Sequence, residues 1–383
     1  MRQVWRGARI FDGETLHDDG LALAIEDGRV AGLIPDTGEG TDLGGGILAP
    51  GFLDLQVNGG GGALLGQGDP DRDLATICAA HAGLGTTGLL PTLITADRAT
   101  TQAVIDAGRR AARRGLPGFL GLHLEGPHLD PRRKGAHDPA LIRPMEDADL
   151  ALLSRAARDL PSLLVTLAPE AATPAQIAAL TRAGAVVSLG HSDCTEGAAR
   201  QALAAGARAV THLYNAMSPL GHRAPGLVGA ALDSTAALGI IADGVHVAPT
   251  AFRLAARLAG TRLFAVTDAM AVAGTDLDRF TLNGRAILRR DGRLTLADGT
   301  LAGADVSLPQ ALRWMIAEAG LAPAAALAMM TRHPARLLGL DDRGALTPGS
   351  RADLVHLSVD GRLQAAWRGA TPIPLCAGNI LGG

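Results

Sequence analysis

From residue 50 onward the chain alternates short apolar runs with Ala-rich amphipathic stretches, and this alternation restricts its fold more than any other feature. The apolar runs occupy 52–58, 87–93, 118–126, 163–170, 185–192, 209–215, 238–245 and 263–270. Helical patterns separate most of them, for example at 98–114, 174–183 and 196–205. Strands joined through helices run parallel, and the helices cover the sheet. Eight such strands within about 220 residues match a (β/α)8 barrel better than an open doubly wound sheet. A hairpin excursion is expected at 280–296, with turns at Asn283-Gly284 and Asp291-Gly292, and then helices at 308–318 and 324–338.

The two ends of the chain read differently. Residues 4–10, 21–25 and 30–33 are short strand patterns separated by Asp-Gly turn signals, and 353–358 and 363–368 repeat that style around Asp360-Gly361. Neither end can bury a core alone. Both are therefore expected to pair into one small β-sandwich, 1–49 with 344–383, beside a catalytic barrel spanning 50–343.

Composition excludes several function classes. A formal net charge of -3 gives no long-range field for nucleic acid or an anionic membrane, and ten aromatic residues are too few for base-stacking platforms. No run reaches the roughly 18 apolar residues of a membrane span, and the first residues lack the apolar core of a signal peptide. Cys78, Cys194 and Cys376 are far apart and odd in number, so neither a disulfide framework nor a Cys-rich metal site is expected. A cytoplasmic protein is the expectation.

Barrel enzymes carry their catalytic groups at the C-terminal ends of the strands. The polar residues of this chain fall there: Gln56 and Asn58, His123 and Glu125, His191, His212, Asp243 and His246, and Asp268. Residues two apart on a strand share a face, so Gln56 with Asn58, and His123 with Glu125, point together. Glu125, His191 and His212 make a ligand set for one catalytic divalent ion, with zinc favoured by the mixture of nitrogen and oxygen donors. Asp268 is then the general base.

The segments PGFLDLQVNGGGG (50–62), GLHLEGPHLDPRRKGAH (121–137), LGHSDC (189–194), THLYNAMSPLGHRAPGLVGA (211–230), GIIADGVHV (239–247) and VTDAM (266–270) strongly resemble the N-acetylglucosamine-6-phosphate deacetylases of the amidohydrolase superfamily. The resemblance runs in order along essentially the whole chain. Its tail, TRHPARLLGL with GALTPGSRADLVHLS, is shared across the superfamily, whereas HLEGP with THLYNAM and IIADGVH is more specific. It implies that Glu125, His191 and His212 bind the metal. Asp268 then takes a proton from the attacking water and delivers it to the leaving amine. It also implies that His137 and His246 contact substrate, one of them bonding the acetyl carbonyl, and that Ala136 and Leu301-Ala302-Gly303 are further substrate contacts. Arg223 matches the family's phosphate arginine, which reaches the neighbouring subunit's site in a homodimer. Backbone groups of Asn215 and Ala216 are expected to add donors for the phosphate.

The implied activity is deacetylation of N-acetyl-D-glucosamine 6-phosphate to D-glucosamine 6-phosphate and acetate, in amino sugar catabolism. The alternatives are the galactosamine epimer or another N-acyl amide. A non-catalytic barrel is disfavoured because Glu125, His191, His212 and Asp268 are all retained.

One metal is expected rather than two. Relatives with two metals carry His-x-His on strand one, where this chain has Gln56-Val57-Asn58, and Gln56 is a candidate partner for the reacting water. Other amidohydrolases bridge the pair through a carbamylated strand-end lysine. Lys134 is the only lysine here, and it lies in the PRRKG loop. Departures from the family pattern at 63–67, His128 and Ala304-Asp305 are expected to touch the sugar side of the pocket. The glycines at 59–62 read first as a permissive turn.

Overall fold

The computed structural model describes residues 2–18 and 20–376. Eight parallel strands form one sheet in sequence order: β1 (Phe52–Val57), β2 (Thr86–Ile94), β3 (Leu122–Glu125), β4 (Leu163–Leu167), β5 (Val186–Leu189), β6 (Ala209–Val210), β7 (Ala237–Ile241) and β8 (Leu263–Val266). The sheet closes on itself just past β8. Asp268 N–H donates to the Gln56 carbonyl at 2.9 Å, and Asn58 N–H donates to the Ala269 carbonyl at 2.9 Å. A buried carboxylate clasps the same seam, because Asp54 on β1 accepts the Thr267 hydroxyl at 2.6 Å. The architecture is the expected (β/α)8 barrel.

The surrounding helices form where pattern and capping agree. In Arg98–Arg113, residues Thr101, Val104, Ile105, Gly108 and Ala111 lie on one buried face, spaced as a helix requires. Asp97 caps the start by accepting the Thr100 N–H at 2.7 Å, a contact of the kind that contributes about 1 kcal/mol.

Two expectations about elements need correction. The single helix expected at 324–338 is two, Pro323–Ala328 and Arg332–Leu338. Between them the carbonyls of Met329 and Met330 turn away to accept N–H groups of Ala265 and Leu53 on β8 and β1. Barrel strands thus take acceptors that a continuous helix would keep. The hairpin region has four strands, Arg279–Leu282, Arg285–Arg290, Arg293–Thr295 and Leu301–Ala304. The last returns to the barrel mouth, where Ala304 N–H donates to the Asp268 carbonyl at 3.0 Å.

Strands from the two chain ends share one six-stranded sheet. Ile47–Pro50 pairs antiparallel with Leu354–Leu357 and parallel with Arg9–Phe11. A second sheet of four strands includes Arg2–Arg6, Leu21–Glu26 and Arg29–Pro35. Trp5, Ile10, Leu23, Ile25, Leu48 and Leu354 form a buried cluster across the two, with Trp5 and Trp367 ring centroids 4.5 Å apart. Of the terminal segments expected in this unit, Met1, Asp19 and 377–383 lie outside the described residues. No helix among the described residues is long and apolar enough to cross a membrane.

Candidate active site

The strands end earlier than their apolar runs suggest, and the chain turns sharply where the polar residues begin. His191, His212 and Asp268 have φ of 47°, 29° and 51°. Such left-handed backbone is unfavourable for residues with a Cβ and concentrates at functional sites. Here it tips three side chains from the barrel wall toward its axis.

Glu125, His191 and His212 meet there. His212 Nε2 lies 3.1 Å from Glu125 Oε1 and 3.1 Å from His191 Nε2, and His191 Nε2 lies 3.3 Å from Glu125 Oε1. Ligands about 2.05 Å from a tetrahedral zinc sit roughly 3.3 Å apart, so these three atoms have the spacing of one face of such a shell. His191 Nδ1 is 2.8 Å from the Arg133 carbonyl, which accepts its proton and leaves Nε2 with a bare lone pair. Among the described residues this is the one Glu/His group so arranged.

The electrostatics suit a cation. Glu125 is buried, which alone raises a carboxyl, but the His191 and His212 rings beside it outweigh burial and hold it well below its ordinary range. Asp268 is pushed the other way. Burial first, and then the Glu125 charge, lift its carboxyl to about 6.

Gln56 and Asn58 both point inward, as their spacing predicts. Gln56 Nε2 donates to Glu125 Oε1 and Asp268 Oδ1, each at 3.1 Å, and Asn58 Nδ2 donates to Asp268 Oδ1 at 2.6 Å. Gln56 therefore lies beneath the cavity, tying the two carboxylates together, rather than lining it. His123 is used up within the barrel by Thr92 and Thr166, at 3.1 Å and 2.7 Å.

Above the cluster opens a cavity of ≈ 370 Å³. Its walls include Glu125, His191, His212 and Asp268, and with them Ala136, His137, Asn215, Ala216, His246, Leu301, Ala302 and Gly303 from the expected substrate set. A larger cleft of ≈ 640 Å³ opens beside Leu263, at the opposite end of β8. It contains no comparable cluster, and chemistry rather than volume identifies the site.

His137 and His246 present different faces to this cavity. Thr95 N–H donates to His137 Nδ1 at 3.3 Å, so the ring proton is on Nε2, 3.9 Å from Glu125 Oε2. Burial holds His137 down to about 3, and it is neutral. His246 Nδ1 instead donates to Asp243 Oδ2 at 2.6 Å.

Several expected residues are placed otherwise. Asn215 N–H is spent on the His212 carbonyl at 2.9 Å, which leaves Ala216 N–H as the backbone donor of that pair. Arg223 is exposed, does not line the cavity, and has no hydrogen bond or ion pair within the described residues. His128 is buried against the Arg143 carbonyl at 3.2 Å, and Asp305 pairs with Arg289 at 2.7 Å. Neither reaches the sugar side of the pocket, because packing elsewhere claims both. The N–H groups of Gly59, Gly61 and Gly62 donate to carbonyls of 269–273, so this loop is no anion cradle. Arg132 and Arg133 line the cavity without having been singled out. Their presence in the segment between Glu125 and His137 was the available signal.

Comparison with known proteins agrees with this geometry. The amidohydrolase family model matches residues 47–379. The chain is 39% identical to an N-acetylgalactosamine-6-phosphate deacetylase of Escherichia coli O157:H7, covering 96% of this chain and 98% of that protein. It is 37% identical to the Homo sapiens N-acetylglucosamine-6-phosphate deacetylase, over 95% and 89%. The solved N-acetylglucosamine-6-phosphate deacetylase from Pasteurella multocida superposes with a TM-score of 0.93 at 32% identity, covering 97% of this chain and 99% of that one. An aspartate-to-alanine variant of the Mycobacterium smegmatis enzyme, in complex with N-acetyl-D-glucosamine-6-phosphate, gives 0.90 at 32% identity, with the same coverage. With its barrel, its buried Glu/His/His group and these relatives along nearly its whole length, the chain belongs to the amidohydrolase family.

Proposed function

We propose that this protein removes the acetyl group from N-acetyl-D-glucosamine 6-phosphate, releasing D-glucosamine 6-phosphate and acetate in amino sugar catabolism. The observation that carries the reading is the triangle of Glu125, His191 and His212 beside an Asp268 fixed on one oxygen.

Glu125, His191 and His212 hold one divalent ion, with zinc as the first choice. A divalent ion in that position supplies Lewis acidity, polarising the amide carbonyl and making water acidic enough to react near neutral pH. Asp268 accepts the proton of the attacking water on Oδ2, since Oδ1 is occupied by Gln56 and Asn58. It returns that proton to the amide nitrogen as the C–N bond breaks, so the amine departs rather than an amide anion. His137, with its proton on Nε2, donates to the acetyl carbonyl, and His246 binds a sugar hydroxyl. Ala136, Asn215, Leu301, Ala302 and Gly303 wall the sugar.

The phosphate requires a free cation, and the cavity's own arginines are committed. Arg132 pairs with Asp130 at 2.6 Å and Arg133 with Asp193 at 2.6 Å. Arg223 of a second copy, together with Ala216 N–H, fills that role in a homodimer. The same reading takes 50–343 as the catalytic barrel and 1–49 with 344–383 as one β unit, on the pairing of Ile47–Pro50 with Leu354–Leu357. Three free cysteines support a cytoplasmic location.

The galacto epimer is a second reading, favoured by the 39% identity to N-acetylgalactosamine-6-phosphate deacetylases. Acetate release from both epimeric phosphates and from unphosphorylated N-acetylglucosamine separates the cases. Fastest turnover of the gluco phosphate is expected. A faster galacto phosphate establishes the second reading, and equal rates with and without phosphate contradict the role of Arg223.

A further inference from the structure

His191 is held by a loop that buries little of itself. Residues 131–135, Pro-Arg-Arg-Lys-Gly, contain a short 3-10 turn, Pro131–Arg133, and their side chains bury almost nothing. Yet this loop supplies the carbonyl of Arg133 that accepts the His191 Nδ1 proton at 2.8 Å. It also wraps the ring, since a Cβ on Gly135 would lie 3.4 Å from His191 Cε1. A backbone carbonyl orients an imidazole only if its own position is fixed.

Asp130 caps the turn from within, accepting the Arg132 N–H at 2.9 Å, and Asp193, two residues beyond His191, ties it across to the segment after β5. Arg133 places Nε 2.7 Å and Nη2 2.6 Å from Asp193 Oδ1, and Arg132 reaches Asp193 Oδ2 at 3.3 Å. At the other end of the turn, Asp130 N–H donates to the His191 carbonyl at 2.9 Å. The segment after β3 is thus buttoned to the segment after β5 on both sides of His191. Asp193 and Arg133 are about a third exposed, so each ion pair alone adds little to global stability. Their effect is geometric.

We infer that Asp193 and Arg133 are positioning residues for His191: their ion pair sets the carbonyl that fixes the ring orientation and its proton on Nδ1. The inference rests on the reading of Glu125, His191 and His212 as metal ligands. It adds that metal affinity is controlled by a charge pair outside the ligand set. Partners of this kind change affinity through ligand orientation and basicity.

The test is Zn2+ affinity of the full-length protein, measured by competition with a chromophoric chelator, for the parent, Asp193→Asn, Arg133→Gln, Arg133→Lys and His191→Ala. Asp193→Asn and Arg133→Gln are expected to bind Zn2+ about 10- to 100-fold more weakly, with unchanged melting of the metal-free protein. Arg133→Lys, which keeps the charge, is expected to recover most of the affinity and keeps the test open if Arg133→Gln folds poorly. Parent-like affinity in Asp193→Asn, or no recovery in Arg133→Lys relative to Arg133→Gln, overturns the inference. His191→Ala separates the two levels: if it retains full affinity the ligand reading fails, and if it alone loses Zn2+ only the positioning role fails.

Discussion

Asn58 Nδ2 donates to Asp268 Oδ1 at 2.6 Å, across the seam where the last barrel strand meets the first. With Gln56 Nε2 on the same oxygen at 3.1 Å, one lobe of the carboxylate is occupied and the other is left toward the cavity. The pair of amides on the first barrel strand thus fixes the orientation of Asp268.

Replacing Asp268 with Asn removes the proposed proton carrier and leaves Glu125, His191 and His212 in place. Turnover is expected to fall by about 100- to 10,000-fold, with metal content unchanged. Steady-state rates beside elemental analysis check both halves, and near-normal kcat excludes Asp268 as the shuttle.

Asn58→Ala removes the shorter of the two amide bonds that fix Asp268 Oδ1. It is expected to lower kcat by roughly tenfold while KM and metal content hold, since a misplaced proton carrier is a loss of orientation. A change confined to KM would place Asn58 with substrate binding instead.

The role proposed for Arg223 is testable by subunit mixing. Arg223→Ala and Asp268→Asn are each expected to be nearly inactive. In a 1:1 mixture allowed to exchange, half the dimers are mixed and each regains one intact site, so about a quarter of parental activity returns if the dimer is a two-fold one. No recovery in a mixture shown to contain mixed dimers would mean that Arg223 acts within its own chain or not at all.

Asp54 gives a pH signature from a group outside the Glu125, His191 and His212 cluster. Burial lifts its carboxyl from 3.8 to about 7 despite the bonds from Thr267 and Gln56. An acid whose folded value is raised binds its proton more tightly when folded. Its contribution to stability is complete below pH 3.8 and is lost as pH rises toward 7. Asp54→Asn should therefore gain stability relative to the parent between pH 4 and pH 8, by up to about 4 kcal/mol. Denaturant midpoints at the two pH values measure it, and a pH-independent difference would contradict the raised value.

The barrel was legible because its signals are local and repeated: apolar runs for strands, capped amphipathic stretches such as 98–113 for helices. The clustering of Glu125, His191 and His212 was legible for a related reason, since polar residues at strand ends converge in this fold whatever the details. What escaped was set by contacts between distant segments. The break at 329–331 exists because Leu53 and Ala265 need acceptors. The turn at His212 came sooner than the apolar run 209–215 implied, because left-handed backbone leaves no hydropathy signal. His128 and Asp305 looked like pocket residues by position, yet their partners lie outside it.

The central claim is that one ion on Glu125, His191 and His212 turns this barrel into an amino sugar 6-phosphate deacetylase. Zinc titration of the chelator-treated protein, read as acetate release from N-acetyl-D-glucosamine 6-phosphate, tests it most directly. Activity is expected to be absent without metal, to rise linearly, and to break at about one ion per chain. Full activity in the stripped protein, or a break near two ions, would contradict it.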